Sequence, residues 1–152
     1  MSRATPPGRH FAWSEFERST AAAKAGIVLR VPDEHMPAVR QLCAAVLDPL
    51  RERIGKPVRI TGGYRTPETN RLIGGSKTSQ HMVGEAVDIK VSGVPAVDLA
   101  RAICDFAADF DQVIWYAPTR GGHVHVSYTT TRPNRRQTLH APAGGGYSPW
   151  RP

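Results

Sequence analysis

The chain has 152 residues, with 20 Lys or Arg against 13 Asp or Glu, a formal charge of +7 and a pI near 10.0. That length fits one domain with a real core, and no apolar run approaches the length needed to span a membrane, which excludes membrane insertion. The basic balance favours polyanions such as nucleic acid, acidic membrane faces or an anionic cell wall, and charge alone does not choose among them.

In chain order, residues 1–10 contain Pro6, Pro7 and Gly8 and read as a flexible arm. The N-terminus shows no apolar signal core, so the expectation is a protein made in the bacterial cytoplasm without a Sec-type leader. Ser14-Glu15-Phe16-Glu17 has capping-box spacing and predicts a helix running to about Lys24, with Trp13, Phe16 and Ile27 facing the core. A longer helix is predicted over 33–53, because Val39, Leu42, Cys43, Val46, Leu47, Leu50 and Ile54 recur at three- and four-residue spacings. Pro37 suits its first turn, and Pro49 predicts a kink. Cys43 and Cys104 both lie in apolar, helix-like stretches and read as core residues; a disulfide stays open.

Val58 to Thr61 reads as a strand, ended by Gly62-Gly63 where the backbone must turn tightly. Thr66-Pro67 is an N-cap followed by a first-turn proline, opening a short helix that stops at Gly74-Gly75. Residues 86–91 alternate as a strand, with Ala86, Asp88 and Lys90 on one face and Val87, Ile89 and Val91 on the other. Pro95 begins a helix with Leu99, Ile103, Phe106 and Phe110 as its buried stripe. Strands are predicted over 112–116 and 123–128. Beyond Thr129 the periodicity fades, so 11–140 is assigned as one domain and 141–152 as a disordered tail. The sum is an α+β fold: N-terminal helices packed on a small antiparallel sheet.

Two segments carry chemistry. Ser79-Gln80-His81-Met82-Val83-Gly84-Glu85-Ala86-Val87-Asp88 and His123-Val124-His125-Val126-Ser127 offer imidazoles and a carboxylate that neighbouring strands can converge. His81, Asp88 and His125 would be two nitrogen ligands and one oxygen ligand, leaving a position open as in a catalytic zinc site. Spacing leaves open the alternative that each is an ordinary hydrogen-bonding residue.

Ser79-x-His81-x-x-Gly84-x-Ala86-x-Asp88 with a later His-x-His125 resembles the zinc D-Ala-D-Ala carboxypeptidase and L-alanyl-D-glutamate peptidase family of peptidoglycan metallopeptidases. Gly63-Tyr64-Arg65-Thr66-Pro67 is similar to that family's Gly-Tyr-Arg-(Ser/Thr)-Pro block. Trp13-Ser14-Glu15-Phe16, Leu47-Asp48-Pro49-Leu50-Arg51 and Gly74-Gly75-Ser76 resemble its phage-associated branch. The resemblance covers about Phe11 to Arg136. It implies a hedgehog/D,D-peptidase-like fold, Zn2+ held by His81, Asp88 and His125, and hydrolysis of peptidoglycan stem peptides or cross-links. Arg65, Ser79, His123 and Glu85 are then the candidate catalytic residues, and Arg65, Tyr64 and Ser79 the substrate-binding ones. The partner is peptidoglycan, acted on by a monomer after holin-type release or as a virion component.

The proton acceptor stays open. Many members of that family carry an acid three residues before the last zinc histidine; here Gly122 stands there, and no Asp or Glu follows Asp111. Glu85 is closest to the motif, although strict alternation aims it away from Asp88. Glu68, Asp111 and His123 are the other candidates. Arg120, Arg132, Arg135, Arg136 and Arg151 are uncompensated in that last stretch, and a wall-polymer contact or a solvated cluster both fit them. A non-catalytic zinc-containing wall-binding or phage structural module is the competing reading. A nucleic-acid binder rests on charge alone, without aromatic–basic interleaving or a finger or helix-turn-helix signature, so no specific nucleic acid is expected.

Overall fold

Six strands form one sheet: β1 (Arg59–Gly62), β2 (Ala86–Lys90), β3 (Gln112–Tyr116), β4 (Val124–Ser127), β5 (Gln137–Ala141) and β6 (Ser148–Pro149). The computed structural model describes residues 2–152. The order across the sheet is β1-β2-β4-β3-β5-β6. Period-two alternation turns Val87, Ile89, Val113, Val124 and Val126 to one side, where all are buried. Helices α2 (Met36–Leu42), α3 (Asp48–Ile54) and α5 (Ala96–Phe106) cover that side, adding Leu42, Leu50, Leu99 and Ile103 to the same core. The opposite side of the sheet carries polar residues on β2 and β4, continued by Ile114 on β3 and Leu139 on β5.

The fold is α+β as expected, and the sheet is mixed rather than purely antiparallel. Pairs β1–β2, β2–β4, β4–β3 and β5–β6 are antiparallel, whereas β3 and β5 run parallel. The register explains the parallel pair. Ser127, the last residue of β4, lies opposite Gln112, the first residue of β3. A chain leaving β4 is therefore already at the start of β3 and re-enters alongside it after a short loop.

Two helices differ from the sequence expectation. The stretch 33–53 opens with a 3-10 turn, and α2 and α3 are joined by a wide π-type turn at Cys43–Leu47 rather than by a kink. Pro49 sits in the first turn of α3, where its missing N–H costs little. The stretch predicted to run to Lys24 is a 3-10 turn, Trp13–Phe16, and a separate α1 (Thr20–Lys24) capped by the Ser19 hydroxyl. The Glu15 carboxylate accepts the Ala12 N–H at 2.7 Å, so the cap lies earlier than its sequence spacing suggests.

The arm and the tail both make specific contacts. Arg40 donates to the carbonyls of Pro6 and Ser2, at 2.6 and 2.8 Å, and the Trp13 indole donates to Thr5 at 3.0 Å. At the other end, the Trp150 N–H donates to the Thr138 carbonyl at 3.1 Å, and Trp150 packs edge-on against Trp115. Loss of periodicity after Thr129 reflects short strands and turns here. Cys43 and Cys104 are free thiols, so no disulfide joins them. Among the described residues, no helix is long and apolar enough to cross a membrane.

Three of the tail arginines are compensated, contrary to the sequence reading, because acids upstream fold against them. Arg132 and Arg135 lie 2.7 and 2.9 Å from the Asp111 carboxylate, which is fully buried, and Arg136 lies 2.8 Å from Asp109. Burial pushes the Asp111 carboxyl up, but hydrogen bonds from Arg132 and Arg135 outweigh it and hold the group below the usual carboxylate range. A depressed folded-state pKa gives stability that is present above the unfolded value of about 3.9 and lost as pH falls through the folded value. Asp111→Asn should therefore lower the melting temperature near neutral pH and flatten its fall below about pH 4. An unchanged acid titration of the variant would remove Asp111 from the account.

Candidate metal centre

One row of residues crosses the sheet on its polar side. Register pairs run Gly62–Asp88, Asp88–His125, His125–Ile114 and Ile114–Leu139. Alternation on β2 and β4 sends Asp88 and His125 to this side while Val87 and Val126 enter the core. Antiparallel pairing then sets the carboxylate beside the imidazole, with His125 Nδ1 3.3 Å from Asp88 Oδ1.

His81 arrives from the short 3-10 turn Gln80–Val83, opened by the Ser79 hydroxyl, which accepts the His81 N–H at 3.3 Å. Gly84 closes that turn at φ 75°, a left-handed conformation that favours glycine. The His81 ring is buried, and its Nδ1 donates to the Gly63 carbonyl at 2.8 Å. That bond fixes the tautomer and leaves the Nε2 lone pair aimed at the carboxylate, 3.5 Å from Asp88 Oδ1.

The three donor atoms lie within 4.8 Å of one another. Two donors each about 2.0 Å from a tetrahedral ion stand about 3.3 Å apart, so the 3.3 and 3.5 Å separations fit a zinc ion. The charge states fit as well. Burial pushes the Asp88 carboxyl up, yet the His81 and His125 imidazoles beside it hold it well below its ordinary value. Burial also pushes His125 down, against the pull of Asp88, toward the neutral imidazole that ligates metal.

Around the donors lies a cleft of about 860 Å³. Arg65 lines it, with NH2 3.6 Å from Asp88 Oδ2 and NH1 donating to Asn70 at 3.3 Å. Asn70 is buried and donates to the Ser76 carbonyl, so the guanidinium rests on a fixed partner. His123 lines the cleft with its Nε2 3.9 Å from Asp88 Oδ1, its ring stacked on Tyr116 at 4.2 Å. Burial lowers the His123 pKa, opposed by Asp88. Ser79 also lines the cleft.

The structure does not bring Glu85 or Tyr64 to the cleft. The Glu85 carboxylate instead accepts the Thr129 hydroxyl at 2.6 Å and the Gln80 amide at 3.4 Å. Tyr64 is buried with its ring beside His35, and its N–H donates to Phe16. Asp111 is held by Arg132 and Arg135. The absence of an acid at position 122 has a backbone reason: Gly121 and Gly122 enter β4 at φ 105° and 60°, where an acidic side chain would be strained. Sequence reasoning passed over Gln112, Ile114, Leu139 and Tyr147, which line the cleft. Strand alternation with Val113 would have found the first two; Tyr147 carries no local signal.

Residues 9–127 match the sequence pattern of the family described as Peptidase M15. The chain belongs to that family. It is also similar to a zinc D-Ala-D-Ala carboxypeptidase from Streptomyces albus G, 30% identical over 83 residues, covering 53% of this chain and 32% of the relative. The chain thus spans about a third of the length of that curated relative.

The pairing of Asp88 with Gly62 is a sensitive point. A Cβ on residue 62 would stand 2.7 Å from Asp88 Oδ2. Gly62→Ala should turn the carboxylate and weaken divalent-metal affinity about 10- to 100-fold while the far-ultraviolet circular dichroism stays native. Unaltered affinity in a chelator competition would show that the carboxylate does not depend on this clearance.

Proposed function

We propose that the protein is a zinc-dependent peptidase that hydrolyses peptide bonds in peptidoglycan stem peptides or cross-links. The observation that carries this is the convergence of His81, Asp88 and His125 beside Arg65 in one cleft of a Peptidase M15 chain. A zinc ion held by those three residues supplies Lewis acidity to a water and to the substrate carbonyl.

The remaining roles follow from the side chains. Arg65 is braced by Asn70 and Asp88, and its planar donors suit a carbonyl oxygen gaining charge or a substrate carboxylate. His123 takes the proton. It is the cleft's remaining imidazole once His81 and His125 serve as ligands, and burial favours the neutral form that can accept one. Stacking on Tyr116 holds its ring in place. Ser79 positions His81 through the N–H it accepts and offers the rim a hydroxyl.

A wall-binding module that holds zinc without cutting is the second reading, favoured by one observation. Asp88 is the sole carboxylate lining the cleft among the described residues, so no acidic base accompanies the metal ligands.

Digestion of purified peptidoglycan, with products read by mass spectrometry, separates the two readings. The peptidase should release new termini in a chelator-sensitive way, and His125→Ala should lose both bound zinc and cleavage. His123→Ala should keep zinc and lower kcat about 100-fold or more with KM little changed. Arg65→Ala should keep zinc and lower kcat/KM about 100-fold. Intact peptidoglycan after treatment with protein holding one zinc would favour the binding module instead.

A further inference from the structure

The cleft extends beyond the metal row toward the start of β3, where two guanidinium groups face it. Arg132 and Arg135 both line the cleft and are 44% and 47% exposed, whereas the Asp111 carboxylate they hold is 0% exposed. Arg132 grips Asp111 as a fork, NH1 to Oδ1 at 2.7 Å and NH2 to Oδ2 at 3.0 Å. Arg135 adds a second fork, Nε to Oδ1 at 3.2 Å and NH2 to Oδ2 at 2.9 Å, and its backbone N–H donates to Oδ1 at 2.9 Å. One arginine fork already neutralises a carboxylate. The second leaves one positive charge beyond what Asp111 itself neutralises, with the Glu85 carboxylate acting on Arg132 from further off, and it sits on a planar group that Asp111 holds in a fixed orientation.

Each guanidinium has five N–H donors, and Asp111 does not use them all. The rest of the cleft has the same bias. Arg65, Arg132 and Arg135 line it against the one carboxylate of Asp88, which serves the metal row. Asp111 immediately precedes β3, and Ile114 in that strand lies opposite His125. At about 3.4 Å per residue, the arginine pair anchors roughly 10 Å from the metal row along the strand. An extended peptide crossing the cleft would bring a group there about two to three residues from the scissile bond.

We propose that Arg132 and Arg135 form a subsite for a carboxylate of the peptide substrate, about two to three residues from the bond that is cut. The proposal rests on the peptidase reading above. The N–H donors that the two guanidinium groups keep beyond their bonds to Asp111 suit a second carboxylate, and the buried Asp111 pre-orients both groups. The carboxylate can belong to an acidic side chain or to the end of the peptide; the chemistry of recognition is the same.

The test uses synthetic stem peptides spanning the bond cut in peptidoglycan, made with the side-chain acid free or amidated and with the C-terminus free or amidated. For the zinc-loaded enzyme, kcat/KM should favour one acid form over its amide about 10-fold or more. Which amidation is harmful identifies the source of the carboxylate. Arg132→Gln and Arg135→Gln should each reduce that acid-to-amide ratio at least about 3-fold. The ratio is taken within one variant, so a loss of folded protein cancels. Calorimetric Kd values for the same peptides on chelator-treated protein should show the same preference without turnover. If the wild type cuts acid and amide forms equally, or both variants keep the full preference, the subsite is overturned and the peptidase reading stands. If the wild type neither cuts nor binds any of the peptides, both fall together.

Discussion

The site depends on one register. Asp88 meets His125 only because β2 and β4 pair so that these two residues are opposite, on the side of the sheet away from the core. The side-chain period of a strand is two, so a slip of one residue would drive both into the apolar face and expose the valines beside them. Val87 and Val126 are therefore as much a part of the site as its ligands. Their burial against the helices specifies the register that sets the carboxylate 3.3 Å from the imidazole. His81 is then added by a separate device, a capped turn whose histidine is oriented by a backbone carbonyl.

The same sheet row gives the cleft its length. Beyond His125 it continues through Ile114 on β3 to Leu139 on β5, an apolar floor leading away from the ligands. The floor exists because β5 joins β3 in parallel, and that pairing depends on the loop between β4 and β5. Asp111 ties the loop down through Arg132 and Arg135, and Gln137 opens β5 by donating to the Asp111 carbonyl at 3.0 Å. One aspartate thus couples the sheet's added strands to the cationic wall of the cleft.

Much of this was legible in the sequence, for local reasons. The alternation of residues 86–91 and the cap at Thr66-Pro67 are short-range signals, and they appear in the structure as β2 and α4 (Pro67–Ile73) with Asp88 on the polar face. Glu85 lies just before β2, and its carboxylate bonds Thr129. What could not be read depends on pairing over distance. The parallel β3–β5 pair, the fork on Asp111 and the contact of Tyr147 with the cleft each join residues far apart in the chain, with no periodicity to announce them. The contacts of the N-terminal arm also join distant residues: Pro6, Pro7 and Gly8 carry no sign of them, and the donors lie on Arg40 and Trp13.

The most direct test of the account is zinc K-edge X-ray absorption on protein loaded with one equivalent of zinc. Two imidazole nitrogens and oxygen donors at about 2.0 Å, with one imidazole shell lost in His125→Ala, are the predicted result. A sulfur scatterer at about 2.3 Å, or a spectrum unaffected by that substitution, would contradict a metal centre built on the pairing of Asp88 with His125.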